Sequence, residues 1–134
     1  MLYNYKRLND NTHIDGYTTP SKDVLINRIQ KTKWFSKFDL KSGFHQAKMH
    51  LDSIKWAAFS CSEGLFEWKV MPFRLKNAPQ IFQRKMDNIF GNYKEFTCTY
   101  INDVLVFSRT KEEHYLHLKQ VLHLFKNFDL IILK

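Results

Sequence analysis

The sequence predicts an α+β fold, an antiparallel sheet with helices on one face. Three observations carry that expectation. Two β-rich runs, 96–101 and 104–107, are separated only by the polar pair Asn102-Asp103. An amphipathic segment with helical apolar spacing lies on each side of that ribbon. Turn signals are frequent and closely spaced, which suits hairpins rather than long parallel crossovers. At 134 residues, 44% apolar and 25% charged, the chain is expected to form one globular domain around a single core. It has no apolar run of about 18 residues, so no membrane partner is expected. Its first residues lack a signal-type apolar stretch. Cys61 and Cys98 make no CxxC and read as reduced core thiols of an intracellular protein.

Residues 2–5 read as a strand or extended arm, followed by a polar loop through Asp10, Asn11 and Gly16. Pro20-Ser21 starts a helix, with Asp23 in the first turn where the dipole favours an acid. Leu25 and Ile29, with Val24 and Ile26, form its apolar stripe, and it fades near Lys31. Residues 34–40 read as a buried strand ending in Asp39. A charge among such neighbours requires a metal, an ion partner or a hydrogen-bond donor. The other reading is an exposed acid capping the turn Lys41-Ser42-Gly43, and spacing alone favours it.

Residues 44–49 suit a short helix, 56–60 a strand, Glu63-Gly64 a turn and 66–71 a further strand. Loop 72–79 leads into a helix that Asn77 can cap and whose first turn tolerates Pro79. Phe82, Met86, Ile89 and Phe90 recur at helical spacing as a core stripe, and Gly91 is a stop signal. In the ribbon, Asn and Asp tolerate positive φ, so the tight turn is expected at Asn102-Asp103. That pair is either a polar tip or a rigid mount for a metal-binding carboxylate. Thr110-Lys-Glu-Glu113 matches a capping box, and Leu118, Val121, Leu122 and Phe125 give the next helix its buried stripe. His114 and His117 have no third ligand at suitable spacing and read as packed or solvated side chains. Residues 130–133 begin another strand.

Lysine and arginine number 21 against 13 acids, a net charge of +8. That excess favours a polyanionic partner, nucleic acid before others, and Lys31, Lys33, Lys37, Lys41 and Lys48 are candidate contacts. An aromatic content of 16% allows base stacking as well as core packing.

Four ordered motifs add a resemblance: Phe35-Ser-Lys-Phe-Asp39-Leu-Lys-Ser-Gly-Phe-His-Gln46, Val70-Met-Pro-Phe73, Leu75-Lys-Asn-Ala-Pro-Gln-Ile-Phe-Gln83, and Tyr100-Ile-Asn-Asp-Val-Leu-Val-Phe-Ser108. Together they resemble the palm of a reverse transcriptase, of the plant pararetrovirus (caulimovirus-like) group and, next, of gypsy-type retrotransposons. The resemblance covers nearly the whole chain. It implies RNA- and DNA-templated DNA synthesis from deoxynucleoside triphosphates on a template–primer, with two Mg²⁺ ions (or Mn²⁺) held by carboxylates. Asp39 falls on the first-motif aspartate, and Asn102 and Asp103 fall on the Tyr-x-Asp-Asp pair. The implied catalytic set is therefore Asp39, Asn102 and Asp103, with Asp39 and Asp103 as the metal ligands. Phe44 falls on the aromatic gate against a 2′-hydroxyl, with Phe73 and Arg74 on the nucleotide side. Lys76, Asn77, Pro79, Gln80 and Tyr100 fall on the template and primer side. Residues 5–9 resemble the end of the fingers, so about 1–30 is expected to be a fingers remnant and 34–134 the palm, a piece cut at both ends and lacking thumb and RNase H.

Departures from the pattern matter. Asn102 stands where the family has Asp, Arg74 where it has Gly, and Asn4 where it has Asp. An amide brings no charge to a site meant for two divalent ions, a loss of about a hundredfold or more in rate. Each change is one G-to-A transition, which suggests a decayed integrated copy. The expectation is an impaired enzyme or, alternatively, a non-enzymatic basic nucleic-acid-binding relic.

Overall fold

The computed structural model describes residues 3–133. In chain order they form helices α1 (Lys6–Asp10) and α2 (Lys22–Ile29), strand β1 (Trp34–Asp39), and a small hairpin of β2 (Phe59–Cys61) and β3 (Gly64–Phe66). Helix α3 (Ala78–Phe90), the hairpin β4 (Thr97–Tyr100) and β5 (Asp103–Ser108), and helix α4 (Lys111–Asn127) follow. The helix starts obey local chemistry. Ser21 accepts the Val24 amide at the head of α2. Thr110 accepts the Glu113 amide at the head of α4, while Glu113 reaches back to the Arg109 amide.

The main sheet is antiparallel, in the order β1-β5-β4. Because side chains alternate along β5, Val104, Val106 and Ser108 share one face and Asp103, Leu105 and Phe107 the other. The first face is the core. Val104 and Val106 are fully buried there with Phe82 and Met86 of α3 and Val121 and Phe125 of α4. Helices α3 and α4 thus lie together on one face, as expected. On the other face α2 lies across the far end, where the Arg28 guanidinium lies over the Phe107 ring.

Several local expectations change. Strand β1 is not buried: Trp34 is 43% and Phe35 49% exposed, because β1 is an outer strand. Leu2 lies outside the described residues; residues 3–5 are irregular, and 6–10 form α1 rather than a loop. Side-chain bonds at both ends dock this segment: Tyr5 Oη donates to the Ala57 carbonyl, and Asn9 bonds both the Arg74 carbonyl and the Lys76 amide. Val24 and Ile26 of α2 are solvent-exposed, leaving Leu25 and Ile29 half-buried. The short helix is a 3-10 turn at Gly43–Gln46, and Trp56 belongs to another, Leu51–Ala57. The small hairpin turns at Ser62-Glu63, and Gly64 opens β3 at φ 138°, a region that excludes side chains with a Cβ. Beyond Phe66 only Val70 pairs, bridging Lys48.

Asn77 sits at the N-cap position of α3 but spends its carboxamide elsewhere, accepting the Asp15 amide and donating to the His13 carbonyl. Gly91 is right-handed and passes the chain into a 3-10 turn instead of stopping it. The last segment forms no strand among the described residues: Ile132 makes an isolated bridge to Leu40, and the Leu133 amide donates to the Asp39 carbonyl at 2.8 Å.

His114 and His117 of α4 are packed. Ser108 Oγ lies 2.9 Å from His114 Nδ1 and 2.7 Å from His117 Nδ1, His114 Nε2 meets Ser36 Oγ at 2.8 Å, and His117 stacks on Phe96. Burial lowers the pKa of both below the ordinary 6.5. The folded chain therefore binds fewer protons there than the unfolded chain. Stability is complete above about pH 6.5 and is lost as pH falls through the depressed folded values. Urea midpoints measured from about pH 7.5 down to about pH 5 should fall, and the slope should flatten in His117→Asn; a flat profile in the parent contradicts this.

Candidate active site

The register of β1 on β5 sets Asp39 directly opposite Asp103. The Leu40 amide donates to the Asn102 carbonyl at 2.9 Å. Hydrogen-bonded and non-hydrogen-bonded pairs alternate, so Asp39 and Asp103 form the close kind, with Cα atoms about 4.5 Å apart and side chains on one face. That face is the one α3 and α4 leave open. Tyr100 stands opposite Asp103 on β4, so Asp39, Asp103 and Tyr100 form a row across three strands. Lys37, two residues before Asp39, brings Nζ to 3.2 Å from Asp103 Oδ2. Both partners are solvent-accessible, so the pair contributes at most about 1 kcal/mol; its value is to offset repulsion between two adjacent acids.

The turn falls one residue earlier than expected. Tyr100 pairs with Asp103, which leaves Ile101 and Asn102 as the loop. Ile101 takes φ 51°, left-handed for a β-branched residue, at a cost of about 1–2 kcal/mol. Asn102 turns its side chain toward Gly43, so closely that a Cβ on Gly43 would lie 2.0 Å from Asn102 Oδ1. That oxygen is buried and has no hydrogen-bond partner among the described residues.

Beside Gly43, Phe44 packs against Phe73 and edge-on to Phe82, with ring centroids at 5.7 and 5.8 Å. Arg74 follows at φ 70°, the left-handed region where glycine is at ease. Lys76 does not face the acids: its ammonium donates to the Asn9 and Thr12 carbonyls. With Asn77 it ties the N-terminal segment to the start of α3. Pro79 lies in the first turn of α3, and Gln80 Oε1 is buried without a partner among the described residues. The structure thus unites Asp39, Asp103 and Tyr100, with Asn102 joined through Gly43 and with Phe44, Phe73 and Arg74 on the adjoining side.

Two further residues support the site. Gln46 pairs with the backbone of Ile131 through both its carboxamide atoms, holding the last segment beside Lys41. Gln83 does the same for the β4–β5 turn, accepting the Ile101 amide at 2.7 Å. The sequence signal for Gln83 is a lone amide bordering the apolar stripe of Phe82, Met86 and Phe90.

Opposed acids at the tip of an antiparallel ribbon, on the open face of a sheet backed by two helices, define a polymerase palm. The chain belongs to the reverse transcriptase family: the family profile for reverse transcriptase (RNA-dependent DNA polymerase) matches residues 1–134. It is 51% identical over 132 residues to polyprotein P3 of Commelina yellow mottle virus, covering 98% of this chain and 7% of that polyprotein. It is 44% identical over 134 residues to the enzymatic polyprotein of cauliflower mosaic virus (strain D/H), covering 100% of this chain and 20% of the relative. The caulimovirus-like resemblance is thereby borne out, and the chain spans a fifth or less of these relatives' length. The foamy viral protease–reverse transcriptase in complex with RNA/DNA hybrid shares the fold, with a TM-score of 0.85 at 21% identity over 96% of this chain and 17% of that one.

Proposed function

We propose that this chain carries the palm of a reverse transcriptase, which adds deoxynucleotides to a primer on an RNA or DNA template at a rate lowered by Asn102. Residues 34–134 form that palm, and about 1–30 belong to the fingers side. The work is intracellular. The observation that carries the reading is the register that opposes Asp39 and Asp103 on the open face.

The donor set fits one divalent ion. Two aspartates stand opposite each other on one face, while the third position holds an amide whose oxygen is buried against Gly43. Asp39 and Asp103 would hold Mg²⁺ or Mn²⁺, which would supply Lewis-acid activation of the primer 3′-hydroxyl and offset the charge of the leaving pyrophosphate; an intact family member is expected to hold two such ions. Phe44, braced between Phe73 and Phe82, forms a wall against a 2′-hydroxyl. Lys31, Lys33, Lys37, Lys41 and Lys48 are all exposed and available to phosphates. A cation at Asp103 would compete with the Lys37 ammonium, which would then be free to join them.

Manganese titration followed by electron paramagnetic resonance tests the reading, together with primer extension on a template–primer. One ion should bind per chain and be lost in Asp39→Asn, with weak extension by the parent. Salt-sensitive duplex binding without manganese binding or extension would instead establish the second reading, a non-enzymatic nucleic-acid binder, which Asn102 favours.

A further inference from the structure

We infer that Gln83 is a positioning residue for the Asp39–Asp103 pair: its carboxamide holds residue 101 left-handed and so selects the turn that keeps Asp103 in the strand. The inference rests on the proposed metal-binding role of those two acids.

Gln83 is fully buried, at 0% exposure, on the side of α3 that meets the sheet. Its Oε1 accepts the Ile101 amide at 2.7 Å. Its Nε2 donates to the Thr99 carbonyl at 3.1 Å, Thr99 Oγ1 at 3.2 Å and Asp87 Oδ1 at 3.0 Å. The orientation of the amide follows from its partners. A backbone N–H only donates and a carboxylate only accepts, so a flipped carboxamide would lose both bonds. Asp87 is itself held by Thr99 Oγ1 at 3.1 Å and by the Tyr17 hydroxyl at 2.6 Å. One buried side chain therefore grips the backbone on both sides of Tyr100, at the end of β4 and at the first residue of the turn.

This grip opposes what the local sequence prefers. Asn102-Asp103 suits a tight turn with positive φ, whereas Ile101 is among the residues least suited to it. A turn at Asn102-Asp103 would place Asp103 in the loop, outside the ladder that sets it opposite Asp39. The observed turn instead uses Ile101 at φ 51° and closes on the Tyr100–Asp103 pair. A left-handed isoleucine persists only where its surroundings over-determine it, and the bond from Gln83 to its amide is that determinant.

The test uses Gln83→Met, which keeps volume and removes the carboxamide, with two readouts on the chain itself. Hydrogen exchange at the Ile101 amide should accelerate by about tenfold or more relative to Val106. Manganese affinity should fall by about tenfold or more, the usual effect of losing a residue that orients a ligand. Adding Ile101→Gly, which has no left-handed penalty, should return manganese affinity to within about threefold of the parent. A folded Gln83→Met with parental exchange and parental affinity overturns the inference, as does a double variant without recovery. Should Gln83→Met not fold, the parent still decides: an Ile101 amide that exchanges as fast as an unbonded loop amide overturns the inference. A parent that binds no manganese defeats the metal-binding reading alone, and exchange at Ile101 still decides the role of Gln83.

Discussion

Asn102→Asp, combined with Arg74→Gly, should raise template-directed primer extension by about a hundredfold or more over the parent. The substitution is isosteric, and the backbone that carries it is held by the bond from the Leu40 amide to the Asn102 carbonyl. A third carboxylate is therefore introduced at the turn, on the Gly43 side and next in sequence to Asp103, without moving the turn. Its effect on folding has the opposite sign when no metal is present. The Asn102 oxygen is buried and unpaired among the described residues, so a charge there adds an unsatisfied group and lowers stability by about 1–3 kcal/mol. Millimolar Mg²⁺ should restore it, because an ion that binds only the folded state stabilises in proportion to the logarithm of its concentration. Melting temperatures with and without Mg²⁺ should therefore separate in the variant far more than in the parent. Arg74→Gly contributes differently, relieving about 1–2 kcal/mol of left-handed strain, less the entropy of a freed glycine. Equal extension by parent and double variant would falsify the assignment of Asn102 to the ion-binding set.

The readable parts of this chain are those where local chemistry and tertiary packing agree. Helices α3 and α4 followed from their apolar spacing, α2 and α4 also from their caps, and the β4–β5 ribbon from its flanking runs. The opposition of Asp39 and Asp103 was legible only through the family resemblance, because register is a property of two strands and not of either one. Where local and tertiary preferences conflict, the sequence misleads. Asn102-Asp103 looks like the turn, but Gln83 pulls the turn onto Ile101. Asn77 looks like a helix cap, but the N-terminal segment takes both ends of its carboxamide. The apolar run from Trp34 looks buried, but β1 is an outer strand whose partner face is open. The first of these departures lies in the candidate site, where a bond from a distant residue outweighs local propensity.

Gly43 is where that site has least room, and Gly43→Ala is the sharpest probe of it. The added Cβ would meet Asn102 Oδ1 at 2.0 Å and Asn102 Cγ at 2.7 Å, both inside contact distance. The asparagine side chain is short and fixed by its backbone, so it must rotate out or push the turn away from the 3-10 segment Gly43–Gln46. Overpacking of this kind costs about 1–3 kcal/mol, measurable as a lower urea midpoint with an unchanged slope. Its functional effect depends on the residue at position 102. In the parent, the displaced group is an amide without charge, so manganese affinity should change by less than about threefold. In Asn102→Asp the displaced group is a metal ligand, and Gly43→Ala should erase most of the hundredfold gain in extension. The two substitutions are in contact, so their effects should be strongly non-additive. Additive effects on extension would place the side chain of residue 102 away from Gly43 during catalysis and detach it from the ion held by Asp39 and Asp103.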